Sequence, residues 1–153
     1  MKTAVVYWSG TGNTETMANA VAEGAKKKGA EVTLMTSAEF DASMIDNFDT
    51  IAFGCPAMGA EVLEEEEFEP MFSACEPKLD GKKIALFGSY GWGDGEWMRN
   101  WEETCKADGA ILACDSVISS AGAIGKQFNP DGAIGSIGQA VGGPFSKDGA
   151  IGS

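Results

Sequence analysis

The chain has 153 residues, the length of one domain, with 11 Lys and Arg against 23 Asp and Glu and a formal net charge of −12. That charge excludes nucleic acid and anionic membrane as partners, since both need a basic face. Histidine is absent, which excludes Ser-His-Asp and Cys-His catalysis and His-ligated metals.

The four cysteines, Cys55, Cys75, Cys105 and Cys114, form no CxxC pair and read as buried structural thiols. No apolar run reaches the ~18 residues of a membrane span. Met1-Lys2-Thr3 leads straight into a strand-like run without a signal peptide's apolar stretch, so the cytoplasm is the expected location.

Apolar runs and helical patterns then alternate. Thr3–Trp8 reads as a strand that ends in a Gly-rich turn. Thr14–Lys28 reads as a helix with Met17, Val21 and several alanines on one face and Lys26, Lys27 and Lys28 at the end that suits its dipole. Further strands are predicted at Glu31–Met35, Thr50–Gly54, Lys83–Gly88 and Ala110–Cys114. Helical stretches are predicted at about Ser43–Phe48, Glu66–Ala74 and Glu96–Lys106, the last carrying Trp97 and Trp101 at i, i+4 as core residues. Short continuous apolar strands separated by helices predict an α/β domain, a parallel sheet covered on both faces. Ligands of such sheets bind beyond the carboxyl ends of the strands, which points to the loops after Trp8, Gly54 and Gly88.

Residues 119–153 differ in composition. They hold 9 of the 21 glycines, and their charges cancel. Asn129-Pro130-Asp131 looks like a helix start, and Ile134, Ile137 and Val141 follow at helical spacing. Gly132, Gly135 and Gly138 each cost roughly 1 kcal/mol against Ala, so tertiary packing must hold any helix here. The domain is expected over 1–142, with 143–153 a loose Gly-rich tail.

The first loop, Ser9-Gly10-Thr11-Gly12-Asn13-Thr14, joins strand to helix. A dinucleotide fingerprint would need Gly where Glu15 stands, and a Walker loop would need a Lys that is missing. The third reading is a hydroxyl-rich anion nest, set against a plain polar N-cap turn. Ser9, Thr11 and Thr14 offer hydroxyls, Asn13 an amide, and the helix start free backbone N–H groups. Only Lys2, at the far end of the strand, lies within ten residues, so a terminal phosphate would be held by aimed dipoles alone.

The segment Val6–Glu15 resembles the phosphate loop of a flavodoxin, in the wording of short-chain flavodoxins from anaerobic bacteria. Ala57–Glu64 and Leu86–Gly95 resemble the same family, so the match covers roughly residues 1–118. The resemblance implies a flavodoxin-like three-layer sandwich around a five-stranded parallel sheet of order 2-1-3-4-5, with FMN as cofactor.

It also implies roles for the second loop, Pro56, Ala57, Met58, Gly59, Ala60 and Glu61, and the third, Ser89, Tyr90, Gly91, Trp92 and Gly93. Met58 and Trp92 are expected on opposite faces of the flavin. Glu61 is expected to accept a hydrogen bond from flavin N3–H, and Ser89 to touch the ribityl chain or ring. Gly59 carries the family's redox switch, its carbonyl turning to accept the N5 proton after one-electron reduction. Ala60 stands where this subfamily often has aspartate. If the turned backbone needs positive φ there, Ala costs roughly 1–2 kcal/mol and the semiquinone is less stabilised. After the fifth strand, Ile118-Ser-Ser-Ala-Gly122 replaces the family's usual Asn- or Glu-Pro segment, and Ser119 or Ser120 is left as a ribityl contact.

Glu61, Glu64, Glu65, Glu66, Glu67 and Glu69 crowd one side of the expected site, with Asp94 and Glu96 on the other. One carboxylate at ~10 Å, with an effective dielectric near ~40, opposes a reduced anionic flavin by about 0.8 kcal/mol. That is about 35 mV before salt screening.

The resemblance thus implies a monomeric one-electron carrier rather than a catalyst. It would exchange electrons with redox proteins that present basic docking surfaces. The rival reading is an FMN-dependent NAD(P)H:quinone or nitro reductase. It is weakened by a single arginine, Arg99, and by Trp92, which would cover the face a nicotinamide needs.

Overall fold

The structure is a computed structural model that describes residues 1–10, 12–58, 62–91, 95–120, 137, 138, 140 and 141; of Ser119 and Ser120 it describes the backbone only. The expected tail from 143 onward therefore lies outside the described residues.

Strands β1 (Lys2–Tyr7), β2 (Glu31–Thr36), β3 (Thr50–Gly54), β4 (Lys83–Tyr90), β5 (Ile111–Leu112) and β6 (Val117–Ser120) form one parallel sheet. Its order is β2-β1-β3-β4-β5, as expected, with β6 also on β4. Helices α1 (Asn13–Lys27), α2 (Phe68–Cys75) and α3 (Glu96–Ala107) cover it, with 3₁₀ turns at Ala42–Asn47 and Glu76–Lys78.

Alternation along the strands decides which layer each side chain joins. Val5, Tyr7, Ala52, Ala85 and Phe87 face Met17, Ala18, Val21 and Ala22 of α1. Ala4, Val6, Ile51, Phe53, Ile84 and Leu86 face Phe68 and Phe72 of α2 and Trp97 and Trp101 of α3. Both tryptophans are buried, as their spacing predicts.

Three elements depart from the reading of the sequence. The strand expected at Ala110–Cys114 is split: Ile111–Leu112 pairs with Lys83 and Ile84, and Val117–Ser120 resumes beside Phe87–Tyr90. The second piece supplies a partner for the top of β4, which therefore runs past Gly88 to Tyr90. Helix α2 starts at Phe68, later than Glu66, because the Glu64 carboxylate takes the backbone N–H groups of Glu66, Glu67 and Phe68 at 2.9, 2.8 and 2.8 Å. These satisfy donors the helix cannot satisfy itself. The stretch at 42–47 is a 3₁₀ turn capped by Asp41, whose Oδ1 accepts from Ser43 N at 2.7 Å.

The Gly-rich C-terminal stretch has a packing reason where it is described. Residues 137, 138, 140 and 141 are helical, with Ile137 and Val141 buried on α1. A Cβ on Gly138 would stand 1.8 Å from the Val21 carbonyl oxygen, so only glycine permits this approach. The Val141 carbonyl accepts from the Thr3 and Thr50 hydroxyls at 3.2 and 2.6 Å, leaving these buried groups partnered.

Candidate functional site

Residue Trp8 follows the carboxyl end of β1, where the chain turns into α1. Its backbone N–H donates to the Gly54 carbonyl at 3.0 Å, which carries the β1–β3 pairing into the loops. Gly12 takes the left-handed conformation, φ 96°, that starts α1 without a Cβ penalty. Its N–H donates to Ser9 Oγ at 3.0 Å, so this amide braces the turn and is not one of the nest's free donors. The Ser9 hydroxyl proton is left to donate outward.

The Thr14 and Ser89 hydroxyls, both buried, are hydrogen-bonded to each other at 2.9 Å. One of the two hydroxyls donates in that bond, and the other's proton remains for a third group. The first and third loops are thereby tied together. The second joins them through Ala57 N, which donates to the Ser89 carbonyl at 2.9 Å. Met58 and Val62 exchange backbone hydrogen bonds at 2.8 and 3.0 Å.

These contacts enclose a cleft of about 260 Å³ lined by Trp8, Gly10, Asn13, Pro56, Ala57, Met58, Ser89, Tyr90 and Gly91. A neighbouring cleft of about 330 Å³ lies along the other side of the first turn, with Ser9, Gly12, Glu15, Ser37 and Glu67 among its walls. Trp8 and Gly10 border both. The first cleft opens where the strand order reverses between β1 and β3, the switch point at which open α/β sheets bind ligands.

The donor set suits a phosphorylated flat ring. Of the residues that line the first cleft, Asn13 and Ser89 offer an amide and a hydroxyl, and Pro56, Ala57, exposed Met58 and Tyr90 offer apolar surface, while Ser9 lines the neighbouring cleft. Among the described residues, no Lys or Arg lines the first cleft. FMN fits this combination of polar donors and apolar walls.

Eleven of the seventeen expected site residues are described: Ser9, Gly10, Gly12, Asn13, Thr14, Pro56, Ala57, Met58, Ser89, Tyr90 and Gly91. All lie at this one end of the sheet, with Asn13 and Thr14 in the first turn of α1, Ser89 and Tyr90 at the end of β4, and the rest on the three loops. Thr11, Gly59, Ala60, Glu61, Trp92 and Gly93 lie outside the described residues.

Trp8 was missed by the sequence reading, which placed it at the end of a strand. A Trp directly before a Gly-rich turn was the available signal. Glu67 was counted only as part of an acidic run, yet its Oε1 accepts from Trp8 Nε1 at 3.0 Å.

The ionisable groups behind the site are structural. Burial pushes the Cys55 thiol up to about 12, and Cys75, Cys105 and Cys114 are likewise held protonated by burial, at about 11, 12 and 11. Thiols so held are poor nucleophiles. Burial also disfavours ionised Glu64, but its three backbone N–H donors outweigh that and keep its carboxyl below the ordinary range. Tyr7 is held above its ordinary range by burial and by Glu15, whose Oε2 accepts from its hydroxyl at 3.1 Å. Among the described residues, no acidic or sulfur cluster is arranged to hold a metal, and no helix is long and apolar enough to cross a membrane.

Comparison with known proteins agrees with this fold. A profile of the flavodoxin family matches residues 5–133. A flavodoxin of Clostridium beijerinckii is 49% identical over 108 residues, 71% of this chain and 78% of that protein. One of Megasphaera elsdenii is 45% identical over 115 residues, 75% of this chain and 84% of that protein. The solution structure of the two-electron reduced Megasphaera elsdenii flavodoxin superposes with a TM-score of 0.79 at 40% identity, covering 92% of this chain and 98% of that one. The chain belongs to the flavodoxin family, whose members bind FMN and transfer electrons.

Proposed function

We propose that this chain is a low-potential one-electron carrier of the cytoplasm, a monomer and not a catalyst in its own right, with the cleft between its three loops as the FMN site. The observation that carries this reading is that cleft at the β1/β3 switch point, lined by Asn13 and Ser89 together with the apolar Pro56, Ala57 and Met58. When bound, FMN supplies one-electron redox chemistry.

The chain's own groups do the holding. Ser9, Asn13, Thr14 and Ser89 would aim hydroxyls and an amide at the phosphate and ribityl chain, and Thr11 would join them. Pro56, Ala57, Met58 and Tyr90 would exclude water from the ring, with Trp92 on its other face. Glu61 would accept a hydrogen bond from the flavin N3–H, and the Gly59 carbonyl would be the acceptor for N5–H. Gly10, Gly12, Gly91 and Gly93 let the backbone come close to the cofactor.

Carboxylates around the mouth would repel a reduced anionic flavin and attract redox proteins with basic docking surfaces. Glu65, Glu66 and Glu67 are exposed there. The domain would span 1–142, with 143–153 as an appendage.

The test is stepwise anaerobic reduction of the FMN-loaded protein, followed by its visible spectrum. Two separable one-electron steps support the carrier. Direct two-electron bleaching by a nicotinamide cofactor alone would favour the reductase. A chain that takes up no FMN would refute the cofactor site.

A further inference from the structure

Trp8 and Glu67 stand 59 residues apart in the chain, on the first turn and at the start of α2, and the indole N–H joins them at 3.0 Å. The ring lies flush on the first turn, since a Cβ built on Gly10 would come within 2.9 Å of it. It also separates the two clefts that flank that turn. Glu67 is itself held in place. Its backbone N–H donates to Glu64 Oε1 at 2.8 Å, Glu64 is buried, and Glu64 N–H donates to Cys55 Sγ at 3.4 Å. A rigid line therefore runs from the buried end of β3 through Glu64 and Glu67 to the Trp8 ring.

We propose that Glu67 is a positioning residue for cofactor binding: by holding the Trp8 indole against Gly10, it pre-organises the phosphate turn. The proposal rests on the FMN reading above, which counts Glu67 only among the carboxylates at the mouth and gives Trp8 no role of its own.

The physical need is specific to this turn. A loop that binds phosphate through hydroxyl and amide dipoles, without a Lys or Arg among its described lining residues, depends on those dipoles being aimed beforehand. Gly10 and Gly12 give the turn large conformational freedom, which binding would otherwise have to remove. The indole clamp removes part of it in advance. Glu67 works here as an acceptor. Its negative charge is a drawback beside a phosphate dianion, so glutamine, whose Oε1 accepts the same hydrogen bond, serves as well.

The test measures FMN and riboflavin affinities of the full chain as wild type, Glu67→Gln, Glu67→Ala, Trp8→Phe and the Trp8→Phe/Glu67→Ala double variant. One hydrogen bond of this kind corresponds to roughly five- to tenfold in affinity. Glu67→Ala and Trp8→Phe should each lose about that factor for FMN. Glu67→Ala should keep riboflavin affinity, because Glu67 acts on the phosphate turn and does not line the flavin cleft. The double variant should be no worse than either single one, and Glu67→Gln should bind FMN at least as well as wild type.

A second readout needs no cofactor. The Trp8 indole N–H resonance should move in Glu67→Ala and stay near its wild-type position in Glu67→Gln. Unchanged FMN affinity in Glu67→Ala, an equal loss of riboflavin, additive losses in the double variant, or an indole resonance indifferent to Glu67 would each overturn the proposal alone. Failure of the wild-type chain to take up FMN would overturn it together with the reading on which it rests.

Discussion

Glu76 opens the 3₁₀ turn after α2, and Asp108 caps the end of α3, so their carboxyl groups meet where two helices end. Burial, the hydrogen bond with Asp108, the Asp108 charge and the Glu69 charge push the Glu76 carboxyl up from 4.5 to about 7, partly offset by Ser73. Asp108 Oδ2 is buried without a hydrogen-bond partner among the described residues. Cys105, the other titratable group against the pair, stays protonated at about 12.

The folded protein therefore binds the Glu76 proton more tightly than the unfolded chain does. Stability from this group is complete below pH 4.5 and declines as the pH rises to about 7, becoming flat above. At ~1.4 kcal/mol for each tenfold change in proton affinity, the ceiling is about 3 kcal/mol. Glu76 is only partly buried, and solvent screening reduces this to about 1–2 kcal/mol.

Glu76→Gln cannot ionise, and its amide N–H₂ can donate to Asp108 at any pH. Urea denaturation of wild type and variant at pH 5, 6, 7 and 8, with FMN in fixed excess, should give nearly equal stabilities at pH 5. At pH 8 the variant should be more stable by about 1–2 kcal/mol. Taking the difference at each pH cancels the cofactor's own titration. A difference that does not change with pH would refute the reasoning.

The other predictions bear on packing and on the site. Gly138→Ala should destabilise the protein by at least ~2 kcal/mol in denaturant unfolding, because its Cβ would meet backbone at 1.8 Å. Ser89→Ala removes the partner of Thr14 Oγ1, and calorimetry should show stability lower by about 1 kcal/mol and weaker FMN binding. Ala60→Asp should widen the gap between the two one-electron potentials in a redox titration. An unchanged gap would remove the argument that Ala is strained at that turn.

Much of the fold was legible because its cause is local. The continuous apolar runs of β1, β3 and β4, and the Met17/Val21 stripe of α1, report burial on both faces directly in residue order. The first loop reads as a candidate anion site for the same reason, since its donors and glycines are consecutive.

What was not legible depends on contacts distant in sequence. Val117–Ser120 is too polar at its end to read as a strand, and pairing with the exposed top of β4 makes it one. The start of α2 shifted because Glu64 is buried and turns its carboxylate to three amides, which an acidic run in sequence does not announce. Gly138 reads as a helix breaker until α1 is found against its Cα.

Residue order alone therefore settled the layered α/β class and the approximate positions of β1 to β4, because periodicity acts over a few residues. Packing decided the rest: which hydroxyls bond each other, Thr14 to Ser89, and which carboxylate in an acidic run reaches Trp8. Those choices are made by groups 75 and 59 residues apart, and only the closed sheet brings them within hydrogen-bonding distance.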